Sequence, residues 1–326
     1  MKILMTADTI GGVWTYAMEL QRAMPEHAFI VETMEGYKLE WMDDPWKDVD
    51  RAGEHLLEIE RREAPDFIHL NGYAHAALPF RAPKLVVAHS DVLSWWRAVK
   101  GERAPESWST YRDRVQAGLR AADFVVAPSR AMLSALHENF AFNTPSRVIY
   151  NASTRQLTTD AKKEMVFAAG RMWDEAKNLA AVVEAAPRIE APVKIAGDGG
   201  HDAPPNIEHL GKLDRHAMQR ALGEASIYLF PALYEPFGLS ILEAALARCA
   251  LVIGDIPSLR EIWRDAAIFV PPRDIDAIVR EVNALLADSE RCSEMGRRAQ
   301  KRAATFTPER MANAYREIYS AVGVPA

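Results

Sequence analysis

The chain has 326 residues, 49% of them hydrophobic and 26% charged, and a formal net charge of −6. That length suits about two domains of ordinary size, and that balance belongs to a folded globular protein rather than a disordered one. A net negative chain lacks the profile of a general nucleic-acid binder, so no nucleic-acid partner is expected.

The two cysteines, Cys249 and Cys292, are too few for a disulfide framework and wrongly spaced for a zinc site. The opening "MKILMTADTIGGVW" breaks its apolar run at Thr6 and Asp8, which reads as a first buried strand and not as a signal peptide. No segment approaches ~18 uninterrupted apolar residues, and no basic amphipathic helix stands out. A cytoplasmic protein without a strong membrane anchor is expected.

In chain order, the apolar and β-branched runs are "KILMTA" (2–7), "AFIVET" (28–33), "DFIHL" (66–70), "KLVVAH" (84–89), "DFVVAP" (123–128) and "RVIY" (147–150). A polar, aperiodic stretch, "NASTRQLTTDAKKE" (151–164), follows and reads as a linker and hinge. The second series is "MVFAAG" (165–170), "VKIAG" (193–197), "IYLFP" (227–231), "LVIGD" (251–255) and "AIFVP" (267–271). Between the runs lie stretches with apolar residues three and four apart, such as "LSILEAALARC". Strand, helix, strand repeated in this way predicts two doubly wound α/β halves with parallel sheets. A last amphipathic helix is predicted over 307–322, opened by Thr-Pro-Glu-Arg.

Ligands of open α/β sheets bind outside the carboxyl ends of the strands, so polar residues directly after a strand come first as candidates. After "MVFAAG" come Arg171 and Lys177, a cation pair able to hold a diphosphate or, more plainly, to pair with Asp174 and Glu175. After "IYLFP" comes "ALYEPFGLSILEAAL", a loop running into a helix that starts near Gly238 or Leu239. Glu235 sits in that loop and Glu243 about one turn into the helix. The amides around Phe237, Gly238 and Leu239 open the helix, where backbone donors and the dipole favour an anion. Two acids flanking such a site suit a ligand with hydroxyls on both sides of a phosphate group. The plain alternative is two solvated glutamates.

Together these residues resemble the GT-B-fold retaining glycosyltransferases of family 4, which move a sugar from a nucleotide-sugar donor. The resemblance covers nearly the whole chain, and its most specific part is the E-x7-E motif "EPFGLSILE" joined to the upstream "GR…K" cluster. It implies that Arg171 and Lys177 bind the donor diphosphate, that Glu235 contacts the donor sugar and that Glu243 holds the ribose hydroxyls. It places Gly11 and Gly12 beside the diphosphate and acceptor, makes His89 the active-site histidine near the transferred sugar, and sets Leu210 of "IEHLGKL" beside the nucleobase. "AGDGG" (196–200) adds a further post-strand loop. The implied architecture is a GT-B pair of Rossmann-like domains facing across a cleft. An acceptor-side domain spans 1–155 and a nucleotide-sugar domain 156–306, with a crossover helix over 307–326 packing on the first. The expected reaction keeps the anomeric configuration, with the leaving phosphate helping to deprotonate a saccharide, lipid-linked or small-molecule acceptor.

No cofactor and no catalytic metal are expected, the nucleotide-sugar being a substrate. Asp48-Val49-Asp50 and Asp274-Ile275-Asp276 have the spacing of a metal-binding DxD pair, but the first lies in a helix-like stretch and the second at a helix start. Trp95, Trp96, Trp108 and Tyr111 read mainly as packing residues. The rival readings are a GT-B epimerase, which needs no acceptor, a phosphorylase, which releases sugar phosphate, and a non-catalytic nucleotide-sugar-binding subunit. An NAD-dependent oxidoreductase would want the glycine fingerprint this chain lacks.

Overall fold

The apolar runs become strands because residues buried on both faces of a parallel sheet need no alternation, and here they are short and bounded by turn formers. The computed structural model describes residues 1–153, 161–171, 173–198 and 206–322. It separates into two units, Met1–Ala152 joined by the chain from Thr307 onward, and Ser153–Phe306. Residues 154–160 of the expected linker, and Gly199 and Gly200 of "AGDGG", lie outside the described residues.

The first unit runs β1 (Lys2–Ala7), α1 (Gly12–Ala23), β2 (Ala28–Thr33), α2 (Trp46–Glu63), β3 (Phe67–Leu70), β4 (Lys84–Val87), α3 (Val92–Lys100), α4 (Ser109–Ala121), β5 (Phe124–Ala127), α5 (Arg130–Asn139) and β6 (Ser146–Val148). Its strands pair in the order β2-β1-β3-β4-β5-β6, every pairing parallel. The order reverses direction between β1 and β3.

The second unit runs β7 (Lys163–Ala169), α6 (Leu179–Ala185), β8 (Val193–Ala196), β9 (Ile207–Gly211), α7 (Arg215–Glu224), β10 (Ala225–Phe230), α8 (Leu239–Leu246), β11 (Ala250–Gly254), α9 (Pro257–Trp263), β12 (Ile268–Val270), α10 (Ile275–Ala287) and α11 (Ser289–Ala303). Its sheet order, β12-β11-β10-β7-β8-β9, is again parallel throughout. This is the doubly wound dinucleotide-fold order, with its reversal between β7 and β10. Central strands are buried, β11 at all its positions, while the edge strands β2, β6, β9 and β12 are half-exposed. Among the described residues, β9 is the one strand that the apolar runs did not mark. As an edge strand it alternates exposure and carries Glu208 and His209.

The last helix, α12 (Pro308–Val322), belongs to the first unit. Met311, Ala312, Tyr315, Ile318 and Tyr319 recur at helical spacing and bury themselves against Ile3, Met5, Tyr16, Phe67 and Leu85. Arg316 ties its outer face to the carbonyl of Ala23 at 3.0 Å and to Glu26 at 2.6 Å. At its centre is a buried polar chain. Tyr16 Oη donates to Tyr315 Oη (2.5 Å), while His69 bonds Tyr16 through Nε2 (3.2 Å) and Tyr319 through Nδ1 (2.6 Å). Buried hydroxyls and imidazole are tolerated in an apolar core because each finds a partner.

Candidate active site

The reversal in the second sheet sets β7 beside β10, so the segments that leave their carboxyl ends become neighbours. Those segments carry Arg171 and Lys177 on one side and Glu235 on the other. Lys177 Nζ donates to Glu235 Oε2 at 2.8 Å, a contact across 58 positions of chain. The two side chains are 16% and 15% exposed, enough shielding to strengthen the pair and enough opening for a ligand to reach it.

Asp174 organises the cation cluster. Its Oδ1 accepts from Ala176 N (3.1 Å), which opens the short 3-10 turn Glu175–Lys177, and its Oδ2 accepts from Arg171 Nη2 (2.7 Å). The Arg171 guanidinium also lies 4.9 Å over the exposed Trp173 ring. Its Nε is buried without a hydrogen-bond partner among the described residues. An unmet guanidinium donor at this place is what an incoming phosphate oxygen would satisfy. The plain expectation for Arg171, an ion pair with Asp174, holds as well; that for Lys177 with Glu175 gives way to Glu235.

The Glu235 loop is pinned from three directions. Leu233 N and Tyr234 N both donate to Ala176 O, at 2.8 and 3.3 Å. Ser258, in the first turn of α9, donates its hydroxyl to the Glu235 carbonyl at 2.6 Å. At the end of β11, Gly254 packs so closely on Ala232 that a Cβ there would stand 2.3 Å from the Ala232 carbonyl oxygen. Asn178, in a left-handed conformation, closes the base by donating to the carbonyls of Pro231 and Pro272.

α8 starts where the sequence places it. Gly238 is its N-cap, at φ +89°, and among the described residues no side chain caps the first amides. Those donors are left for an anion. Phe237 is buried, edge-on to Phe306 at 5.6 Å, and anchors the turn. Glu243 is buried on the same helix, 7% exposed. Both acids act on one neighbour: the Tyr228 hydroxyl is pushed up by burial first, then by Glu243 and Glu235, against a hydrogen bond with Ser240. Gly238→Ala is expected to cost about 1–2 kcal/mol from the left-handed backbone alone. The new Cβ would also stand 2.7 Å from Ile241 Cδ1. Melting of the variant with and without nucleotide checks this, and the predicted result is a lower melting temperature together with a smaller nucleotide shift.

The first unit presents its own post-strand residues. Gly11, at φ +89°, is the N-cap of α1, with Gly12 its first residue, both exposed. His89 follows β4 and is partly exposed; its Nε2 lies 2.8 Å from Asn71 Oδ1, and the Tyr16 ring meets it edge-on at 4.7 Å. Burial pulls the His89 imidazole down to about 4. His69 is lowered to about 3, by burial first and the nearby His89 second. Both rings are therefore neutral at pH 7.

Leu210 lies half-buried in β9, two strands from β7. Asp48 and Asp50 lie within α2 and pair with Arg51 and Arg114; Asp274 caps α10 by accepting from Ala277 N. Of the four aromatics near His89, Tyr111 is buried and accepts from Val92 N, while the three tryptophans are half-buried. A concavity of about 800 Å³ is lined by Arg120, Asp123, His137, Phe142, Asn143 and Thr144. It lies beside the segments entering β5 and β6, at the amino ends of those strands, where sheets of this kind do not place their ligands. Asn71 is not singled out by the sequence, although it directly follows a strand and the rule that selects His89 reaches it too; Asp174 is read there only as an ion-pair partner.

Residues 10–153 match the family described as Glycosyltransferase Family 4, and residues 150–302 match Glycosyl transferases group 1. The alpha-maltose-1-phosphate synthase of Mycolicibacterium smegmatis is 25% identical over 296 residues, covering 76% of this chain and 75% of that protein. Among solved structures, the sucrose-phosphate synthase of Thermosynechococcus elongatus superposes with a TM-score of 0.83 at 17% identity, covering 98% of this chain and 99% of that one. Anabaena HepE, solved with UDP-glucose, superposes at 0.79 with 17% identity, covering 98% and 100%. Two parallel six-stranded sheets with helices, these superpositions and a family match on each half agree: the chain belongs to the GT-B glycosyltransferases of group 1 and family 4.

Proposed function

We propose that the protein transfers a hexose from a nucleotide-diphosphate-sugar to a hydroxyl acceptor, without a metal and with retention of anomeric configuration. The observation that carries this reading is the Lys177–Glu235 pair beside Arg171 and the uncapped start of α8, gathered at the reversal of the second sheet. Arg171, Lys177 and the amides at 237–239 receive the charge that develops on the departing diphosphate. Glu235 takes the donor sugar and Glu243 the ribose hydroxyls. His89, Gly11 and Gly12 serve the transferred sugar and the acceptor, and Leu210 the nucleobase. No side chain is assigned as a covalent nucleophile, so the leaving phosphate itself takes the acceptor proton.

HepE holds UDP-glucose, which makes it the first donor to try. The Mycolicibacterium relative is named for a phosphorylated disaccharide, so sugar phosphates join saccharides and lipid-linked alcohols in the acceptor screen. The test is thermal stabilisation by UDP, GDP and ADP in EDTA, for the native chain and Glu243→Ala. A nucleotide at 100 times its dissociation constant adds ~2.7 kcal/mol of stability. Stabilisation by one base, weakened in the variant, is the predicted result. No shift with any of the three would sink metal-free donor binding at this site.

A further inference from the structure

Three residues at the carboxyl ends of neighbouring strands in the first sheet form a line. Thr6 is near the end of β1, Asn71 directly follows β3, His89 follows β4, and the sheet order β1-β3-β4 sets them side by side. Asn71 is fixed to Thr6 twice: its backbone N donates to Thr6 Oγ1 at 3.0 Å and its Nδ2 donates to the Thr6 carbonyl at 2.6 Å.

The second bond decides the chemistry. A backbone carbonyl has no proton to give, so the Asn71 amide must turn Nδ2 toward Thr6 and Oδ1 the other way. Oδ1 meets His89 Nε2 at 2.8 Å. An amide oxygen accepts and never donates, so Nε2 must carry the imidazole proton. With the ring neutral, Nδ1 is left as the acceptor nitrogen.

We propose that Asn71, itself held by Thr6, is a positioning residue that locks His89 as the Nε2–H tautomer and makes Nδ1 a fixed hydrogen-bond acceptor for a hydroxyl of the transferred sugar. The role for Nδ1 rests on the transferase reading above; the lock does not. His89 then serves as an uncharged acceptor and not as a general acid. Its surroundings support that. From α1 it meets the Tyr16 ring, and beyond that lie His69 of β3 and Tyr315 and Tyr319 of α12. Asp91, on its own segment, turns Oδ1 to Ser94 N at 2.8 Å, capping α3, and to Asn139 Nδ2 at 3.2 Å.

The test uses the full chain labelled with ¹⁵N-histidine, with side-chain nitrogen NMR followed over pH, beside kcat on the donor found above. The native His89 is expected as Nε2–H, staying neutral down to about pH 5, with no acid limb in kcat above that. Asn71→Asp brings a carboxylate against the ring and should move the His89 titration upward by about 1–3 pH units. An acid limb in kcat should follow it, while nucleotide binding stays unchanged. Asn71→Ala adds no buried charge and guards against a folding failure; in it the ring should populate both tautomers.

An Nδ1–H tautomer in the native chain, an unchanged tautomer in Asn71→Ala, or an unmoved titration in Asn71→Asp would each overturn the lock. A shifted titration without an acid limb in kcat would overturn the role given to Nδ1. Absence of any nucleotide binding overturns the transferase reading instead, and leaves the tautomer result to be judged on its own.

Discussion

Replacing Lys177 or Arg171 by alanine is expected to lower kcat/KM on the nucleotide-sugar by about a hundredfold each, or roughly 3 kcal/mol of barrier. Both cations lie in the segment that leaves β7, and on the proposed reading charge on the leaving diphosphate develops in front of them only as the glycosidic bond breaks. Both substitutions should also cost stability. Arg171 is one-third exposed, but its partner Asp174 is only 8% exposed, so losing the guanidinium should cost about 1–3 kcal/mol. Removing Lys177 leaves Glu235 without its ammonium partner in a shielded place, which should cost about 1–3 kcal/mol. If both groups address one diphosphate, as proposed, the double variant should lose less than the product of the two singles. Steady-state kinetics with parallel melting curves separates these outcomes. Lys177→Ala with native turnover would remove the lysine from the reaction.

Acidification is expected to unfold the first unit through His69 and His89. Both are neutral in the fold, at about 3 and about 4, well below the ordinary imidazole value. Between those values and about pH 6.5 the unfolded chain binds protons that the folded chain refuses, so stability rises with pH. The contribution is complete above pH 6.5 and is lost as pH falls, at about 1.4 kcal/mol per pH unit for each histidine. Glu40 and Asp91, whose carboxyls burial pushes up, work in the opposite sense over part of that range, so a total slope would mix causes. His69→Gln isolates the histidine. It keeps a buried donor and acceptor beside Tyr16 and Tyr319 but cannot titrate. At pH 7 the variant should be less stable by about 1–2 kcal/mol, and the gap to the native chain should close between about pH 6 and pH 5 and reverse below that. Denaturant melts at several pH values measure both. A gap independent of pH would show that His69 is not the group refusing the proton.

Much of this protein is written locally. Among the described residues, eleven strands stand out as short apolar runs, because a strand covered on both faces by helices needs hydrophobic residues at every position. Their edges shift by one or two residues, as at β4, where the run reaches His89 and the strand stops at Val87. β9 escaped because an edge strand faces solvent along one side and can carry Glu208 and His209. The start of α8 near Gly238 or Leu239 was legible too, from the helical apolar pattern that follows the glycine, but the left-handed backbone of Gly238 was not.

The contacts that matter most for chemistry were not legible in this way. Nothing in "GRMWDEAK" says that Lys177 will meet Glu235 rather than its neighbour Glu175. Nothing in "HLNGY" says that Asn71 will face His89 while holding Thr6. Each pairing depends on which strands lie side by side, and hydrophobic periodicity, a property of a dozen residues at a time, carries no strand order. By itself the sequence determined the alternation of strands and helices, and the polar residues placed just after strands. Tertiary structure decided which of those residues meet. In each sheet separately, the reversal of the winding, between β1 and β3 in one and between β7 and β10 in the other, brings distant segments to that sheet's own carboxyl end, where a lower dielectric and a fixed backbone hold separate side chains together.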